Sequence, residues 1–134
     1  MSKQKIAYWV VTGLVSLSMT GSAIMYLKGA PGMVAAFQHL GYPDYFRIML
    51  GVAKLLGVVA LWAPVPRFLR EWAYAGFVID LIAAAVSHTV MGDPLSASIS
   101  PIIVLALMLT SHQLWSRLSV ASAEPQAAVR PAGA

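Results

Sequence analysis

Lys54 and Asp80 are the residues of this chain best placed to do chemistry, because each lies near the middle of a long apolar run otherwise almost free of charge. A charge at the bilayer centre costs roughly 2.5–3.5 kcal/mol on insertion scales, so it is kept with a partner or for a task. A lysine and an aspartate can be each other's partner. At helical spacing Arg47, Gly51, Lys54, Val58 and Leu61 share one narrow stripe. Ala73, Gly76, Asp80, Ala84 and Ser87 share another, with His88 one step around. Lys54 is nine residues in from Tyr45 and Asp80 ten in from Val90. At about 1.5 Å per residue, both fall roughly 13–15 Å below the same boundary. Contact between the two side chains, direct or through water, is the expectation.

Two roles fit such a pair. It can pin the register of the bundle, since a buried ion pair confers specificity while adding little stability. It can also be the floor of a polar cavity, with Arg47, Tyr26 and His88 nearer the mouth, suited to an anionic or quinone-like headgroup. Proton passage is a further option, but no chain of carboxylates accompanies the pair. His39, His88 and His112 fall on different segments without metal-site spacing, so no metal is expected. The chain has no cysteine, which removes thiolate and disulfide chemistry and Fe–S ligation from its own repertoire. No phosphate loop, nucleophile elbow or dinucleotide fingerprint is present. The methionines read as core filler or lipid-facing residues.

The elements that position these residues follow from hydropathy. With 59% hydrophobic and 10% charged residues over 134 positions, the chain has too little polar surface for a soluble domain. It has room for about four spans of roughly 20 residues. The expected fold is all-α, a four-transmembrane-helix bundle over residues 1–118 with a disordered cytoplasmic tail over 119–134. The first span runs from Ala7 to Leu27. Gly21-Ser22-Ala23 could pass for a signal-peptide cleavage site, but the length of the run and the three spans after it favour retention. Thr12, Ser16 and Thr20 form a small polar ridge on this helix, suited to close packing.

Pro31, Met33, Val34, Phe37 and Leu40 predict a short interfacial helix between the first two spans. His39 is expected on its polar face. Asp44 is expected as the N-cap of the second span, Tyr45 to Trp62, which Pro64-Val65-Pro66 ends. The third is expected from about Phe68 to Val90, and the fourth from about Ile99 to Trp115 with Pro101 in its first turn. His112 is expected to make an interhelical or headgroup hydrogen bond.

Orientation follows from the basic residues. Lys3, Lys5, Arg67, Arg70, Arg117 and Arg130 fall on one side, against Lys28 and Arg47 on the other, so both termini are expected in the cytoplasm of a bacterial inner membrane. Trp9, Trp62, Trp72 and Trp115 would mark the cytoplasmic boundary, and Tyr26, Tyr42 and Tyr45 the outer one. The net charge of +4 then reads as topology and headgroup contact, with no nucleic-acid partner.

The run Tyr45-Phe46-Arg47-Ile48-Met49-Leu50-Gly51-Val52-Ala53-Lys54-Leu55-Leu56-Gly57, then Glu71-Trp72-Ala73-Tyr74-Ala75-Gly76-Phe77 with Ile79-Asp80-Leu81, Ser87-His88 and Gly92-Asp93, resembles the DoxX-like family of small bacterial membrane proteins. The resemblance covers roughly residues 6 to 116 and implies a compact four-helix membrane fold. The wider family includes the small subunit of an archaeal thiosulfate:quinone oxidoreductase and a mycobacterial member of a membrane oxidoreductase complex, while most members have no assigned activity.

The leading expectation is a non-enzymatic membrane protein whose polar cavity binds a quinone, lipid or small anion, or which anchors a redox partner protein. A quinone-reactive oxidoreductase subunit and a small solute or proton transporter are the alternatives. No cofactor is fixed by the residues, and a quinone is the candidate they leave. Membrane lipid surrounds any such protein, and the glycine-rich faces suit a homo-oligomer.

Overall fold

The computed structural model describes residues 1–129 and Gly133. Within them the chain folds as α1 (Lys3–Lys28), α2 (Pro31–His39), α3 (Asp44–Trp62), α4 (Arg67–Val90) and α5 (Leu95–Val129), with no strand among the described residues. Helices α1, α3, α4 and the Leu95–Pro125 part of α5 are each long and apolar enough to cross a membrane. Their outer surfaces carry large apolar side chains such as Leu17, Leu56, Ile79 and Val90, as expected where lipid replaces water. The protein is a multi-pass membrane bundle.

The four long helices form a closed ring: α1 packs on α3, α3 on α4, α4 on α5, and α5 on α1. Side-chain pairs give the directions. Ser16, Ser22 and Tyr26 ascending α1 meet Trp62, Lys54 and Arg47 descending α3, so these helices are antiparallel. On α4 and α5, Tyr74 meets Ser111 and Ala85 meets Ser98 in the same sense. The short helix α2 lies across one end of the ring, against α1 and α3.

Local sequence explains the ends. Ser2 caps α1 by accepting from the Lys5 amide at 3.3 Å. The helix stops at Gly29, whose N–H bonds the Tyr26 carbonyl and whose φ of 66°, a left-handed turn open to glycine, brings the Ala30 N–H back to the Met25 carbonyl at 3.2 Å. Pro31 then starts α2. An arginine completes another helix end: Arg70 donates to the carbonyls of Ala60 and Ala63 at 3.3 and 2.8 Å, satisfying the last turn of α3 beside the Pro64–Pro66 hairpin.

Three boundaries differ from expectation. Pro43 holds the cap position of α3, while Asp44 is in its first turn and bonds to Arg47. Helix α5 begins at Leu95, so Pro101 lies inside it. Pro94 immediately before Leu95 has the backbone angle of a helix start, and winding begins there. The same helix runs to Val129, across residues 119–129 read above as tail, because alanine-rich sequence too polar to bury a core still has high helix propensity. Arg130 and the remaining tail positions, 131, 132 and 134, lie outside the described residues.

The packed core is concentrated in one half of the bundle, with Met19 and Leu81 at its border with the chamber. Tyr8, Val15, Leu61, Tyr74, Phe77, Met108 and Trp115 pack there, toward the N-terminus of α1. Tyr74 and Trp115 stack at 5.6 Å, so Trp115 faces into the core, with Arg67 and Arg70 over its ring. At its centre Ser111 binds Thr12 at 2.7 Å and Tyr74 at 2.8 Å, joining three helices through hydroxyls that lipid could not satisfy. The half toward α2 is hollow.

Candidate functional site

Helix α3 carries Lys54 on its inward stripe, and α4 carries Asp80 opposite. Lys54 Nζ lies 3.3 Å from Asp80 Oδ2, with the lysine side chain 6% and the aspartate 14% exposed. The contact expected from depth and stripe is present. Lys54 also donates toward Ser22 Oγ at 3.2 Å and Tyr26 Oη at 3.4 Å. The ammonium is 4.5 Å from the centre of the Tyr26 ring. Three oxygens and an aromatic face therefore compensate one buried cation.

The pair is the floor of a chamber of about 530 Å³. Its walls are Ser18, Ser22 and Tyr26 of α1, Phe46 and Leu50 of α3, Ala83, Ala84, Ser87 and His88 of α4, and Ala97, Pro101 and Val104 of α5. The apolar face of α2, with Met33, Phe37 and Leu40, forms the roof. Phe37 is buried there and meets the Tyr26 ring edge-on at 4.9 Å. Tyr42 stacks on Phe46 at 5.0 Å and shares a 2.7 Å hydrogen bond with Ser87. The small residues on the Asp80 stripe border empty volume: a Cβ added to Gly76 meets nothing within 4 Å. Small residues also suit close approach of another backbone, but this face borders open space instead.

Arg47 does not line the chamber. Its guanidinium turns to the end of α1, donating to the Tyr26 carbonyl and to Asp44 Oδ1 at 2.9 and 3.1 Å. It gives the Tyr26 carbonyl a second donor beside the Gly29 N–H, at a helix end where the dipole favours a cation. Tyr26 and His88 do line the chamber, His88 toward the mouth.

A residue with no periodic signal closes the mouth at the α2 end. Asp93, in the short loop after α4, meets His39 Nε2 with one oxygen and His88 Nδ1 with the other, both at 2.7 Å. This bridge ties the end of α2 to the end of α4. No metal-holding group of three or more ligands is found among the described residues. His112 makes an interhelical bond to Glu71 at 2.8 Å at the far end of the bundle.

Hydrogen bonds from His88 and then His39 hold the Asp93 carboxyl below its ordinary value of 3.8. A depressed folded value means that its contribution to stability is complete above the unfolded carboxylate range and is lost as pH falls through the lowered value. Melting curves taken from about pH 6 to about pH 3 should therefore show Asp93→Asn losing less stability on acidification than the parent chain. Identical pH profiles would contradict the bridge.

The sequence between residues 10 and 111 matches the DoxX-like family. This chain belongs to the DoxX-like family. The match takes in α1 from its second turn, the chamber walls, the Lys54–Asp80 pair, the Asp93 bridge and the Thr12–Ser111 contact, so the whole site of this DoxX-like protein lies inside the family region. Comparison with curated proteins and with solved structures returns no match.

Proposed function

We propose that this DoxX-like protein binds the head of a quinone in the chamber above Lys54 and Asp80, in a bacterial inner membrane with both termini cytoplasmic. The observation that carries the reading is the Tyr26 hydroxyl. It accepts from the Lys54 ammonium, and its own hydrogen has no protein acceptor among the described residues. A hydroxyl polarised by a neighbouring cation is a strengthened donor, aimed here at a ligand oxygen.

Depth and charge select the ligand class. Lys54 and Asp80 sum to zero, so the floor favours a neutral dipolar head over a net anion, which would have to compete with Asp80. A phospholipid head would have to leave the interface and bury its phosphate about 13–15 Å deep. A quinone carbonyl needs one or two donors and no counter-ion. Ion passage fits less well, because beyond the pair the next cavity is lined by carbon and a single indole. Such a protein would serve a membrane redox partner by holding quinone beside it.

Removing the Tyr26 hydroxyl tests this placement. Tyr26→Phe is expected to weaken binding of a short-tailed ubiquinone to the nanodisc-embedded protein about ten-fold, the worth of one hydrogen bond of about 1.4 kcal/mol. An affinity equal to the parent's would refute the assignment of that donor.

A further inference from the structure

A second cavity lies on the other side of the ion pair. About 280 Å³ in volume, it runs along the seam between α3 and α4, bounded by Ala53, Gly57 and Ala60 on one helix and by Leu69, Trp72 and Ala73 on the other. Leu56 and Trp72 on its border are 65% and 68% exposed, so the groove faces lipid. It shares Leu50, Lys54, Gly76 and Asp80 with the chamber. The two cavities therefore meet at the pair, and the missing side chain of Gly76 faces open space at that junction.

We propose that the α3–α4 seam is the lateral doorway to the chamber and the groove that holds the isoprenoid tail of its ligand. The inference rests on the reading of the chamber as a quinone-head site. A long-tailed quinone dissolves in the bilayer and cannot reach a buried site from water without exposing its tail. The α2 end offers no such route, because Phe37 and the stacked Tyr42–Phe46 pair cover it and the Asp93 bridge ties α2 to α4.

The seam offers the opposite. Its walls are apolar, with Ala53, Ala60 and Ala73 leaving room between larger side chains, and its helices touch firmly where Phe77 packs over Gly57 while leaving the flank beside them open. A head placed against Tyr26 and Lys54 would pass its tail by Gly76 into the groove toward Trp72. Head recognition is then polar and specific, whereas tail recognition is by shape and apolar burial.

Photolabelling in nanodiscs tests the route. A long-tailed ubiquinone bearing a diazirine at the tail end is expected to label Ala60, Leu69 or Trp72, and unlabelled long-tailed ubiquinone should compete while added phospholipid should not. Ala53→Phe fills the groove from a lipid-facing position. It should cut the preference for long-tailed over short-tailed ubiquinone about ten-fold. Gly76→Leu, which meets no neighbour at Cβ and improves helix propensity, should abolish labelling of the groove.

Labelling confined to α2 or α5 with the head still bound would overturn the doorway and leave the chamber reading intact. Undiminished groove labelling in Gly76→Leu, or competition by phospholipid as effective as by quinone, would do the same. Failure of both short-tailed and long-tailed ubiquinone to bind the parent chain would overturn the chamber reading, and the doorway with it.

Discussion

Lys54→Met is expected to destabilise the bundle by about 3–5 kcal/mol, the range for removing one member of a buried pair and leaving the other charge alone. The residual carboxylate of Asp80 would keep no cation within reach, since Arg47 is committed to the end of α1. Asp80→Asn should cost less, about 1–3 kcal/mol, because the ammonium keeps Ser22, Tyr26 and the Tyr26 ring. The double variant removes both charges, so its cost should fall short of the sum by about 1–3 kcal/mol. Unfolding in mild detergent, followed for the four chains of this cycle, measures the difference. Strict additivity would show that the two residues do not interact.

The second large effect belongs to Gly57. A Cβ there would lie 2.6 Å from Phe77 Cζ and 2.8 Å from Cε2. Phe77 is 4% exposed and would give up its core contacts if its ring swung away toward the groove. Replacing a helical glycine ordinarily gains up to about 1 kcal/mol of propensity. Overpacking a filled site costs about 1–3 kcal/mol, and the β-branched Gly57→Val lies at the upper end. The clash wins, so a net loss of about 2 kcal/mol is expected. Phe77→Leu in the same chain should restore most of it, because it removes the ring atoms that a Cβ would meet. A stabilising Gly57→Val would show that α3 and α4 are looser at this level than the contact requires.

Much of this architecture is legible in the sequence, for reasons that differ by residue. Lys54 and Asp80 stand out because a charge in an apolar run is rare and costly, and counting residues from each helix end is enough to match their depths. The interfacial helix is legible through Pro31, Phe37 and Leu40. The buried side of α1 is legible in Thr12 and Ser16, which the structure places against Ser111 and Trp62.

The direction of Arg47 is not legible, because a long side chain on the correct stripe can turn to a helix end or to a cavity. That Trp115 turns inward is not legible from its position in the sequence, and only its stacking on Tyr74 shows that it belongs to the core. Asp93 sits in a loop without periodicity, and its partners come from two other elements. Small residues at Gly76 and Ala84 are compatible with a close helix contact or with a void; the choice depends on how α3 and α4 splay, which no local pattern encodes. The chamber is an absence of side chains and leaves no motif.

Native mass spectrometry of the full chain released from nanodiscs made with quinone-containing bacterial lipid tests the central claim most directly. A retained species heavier than the protein by the mass of one quinone is expected, depleted in Tyr26→Phe and absent in Lys54→Met. Protein released without quinone, or quinone retained equally by all three chains, would contradict it.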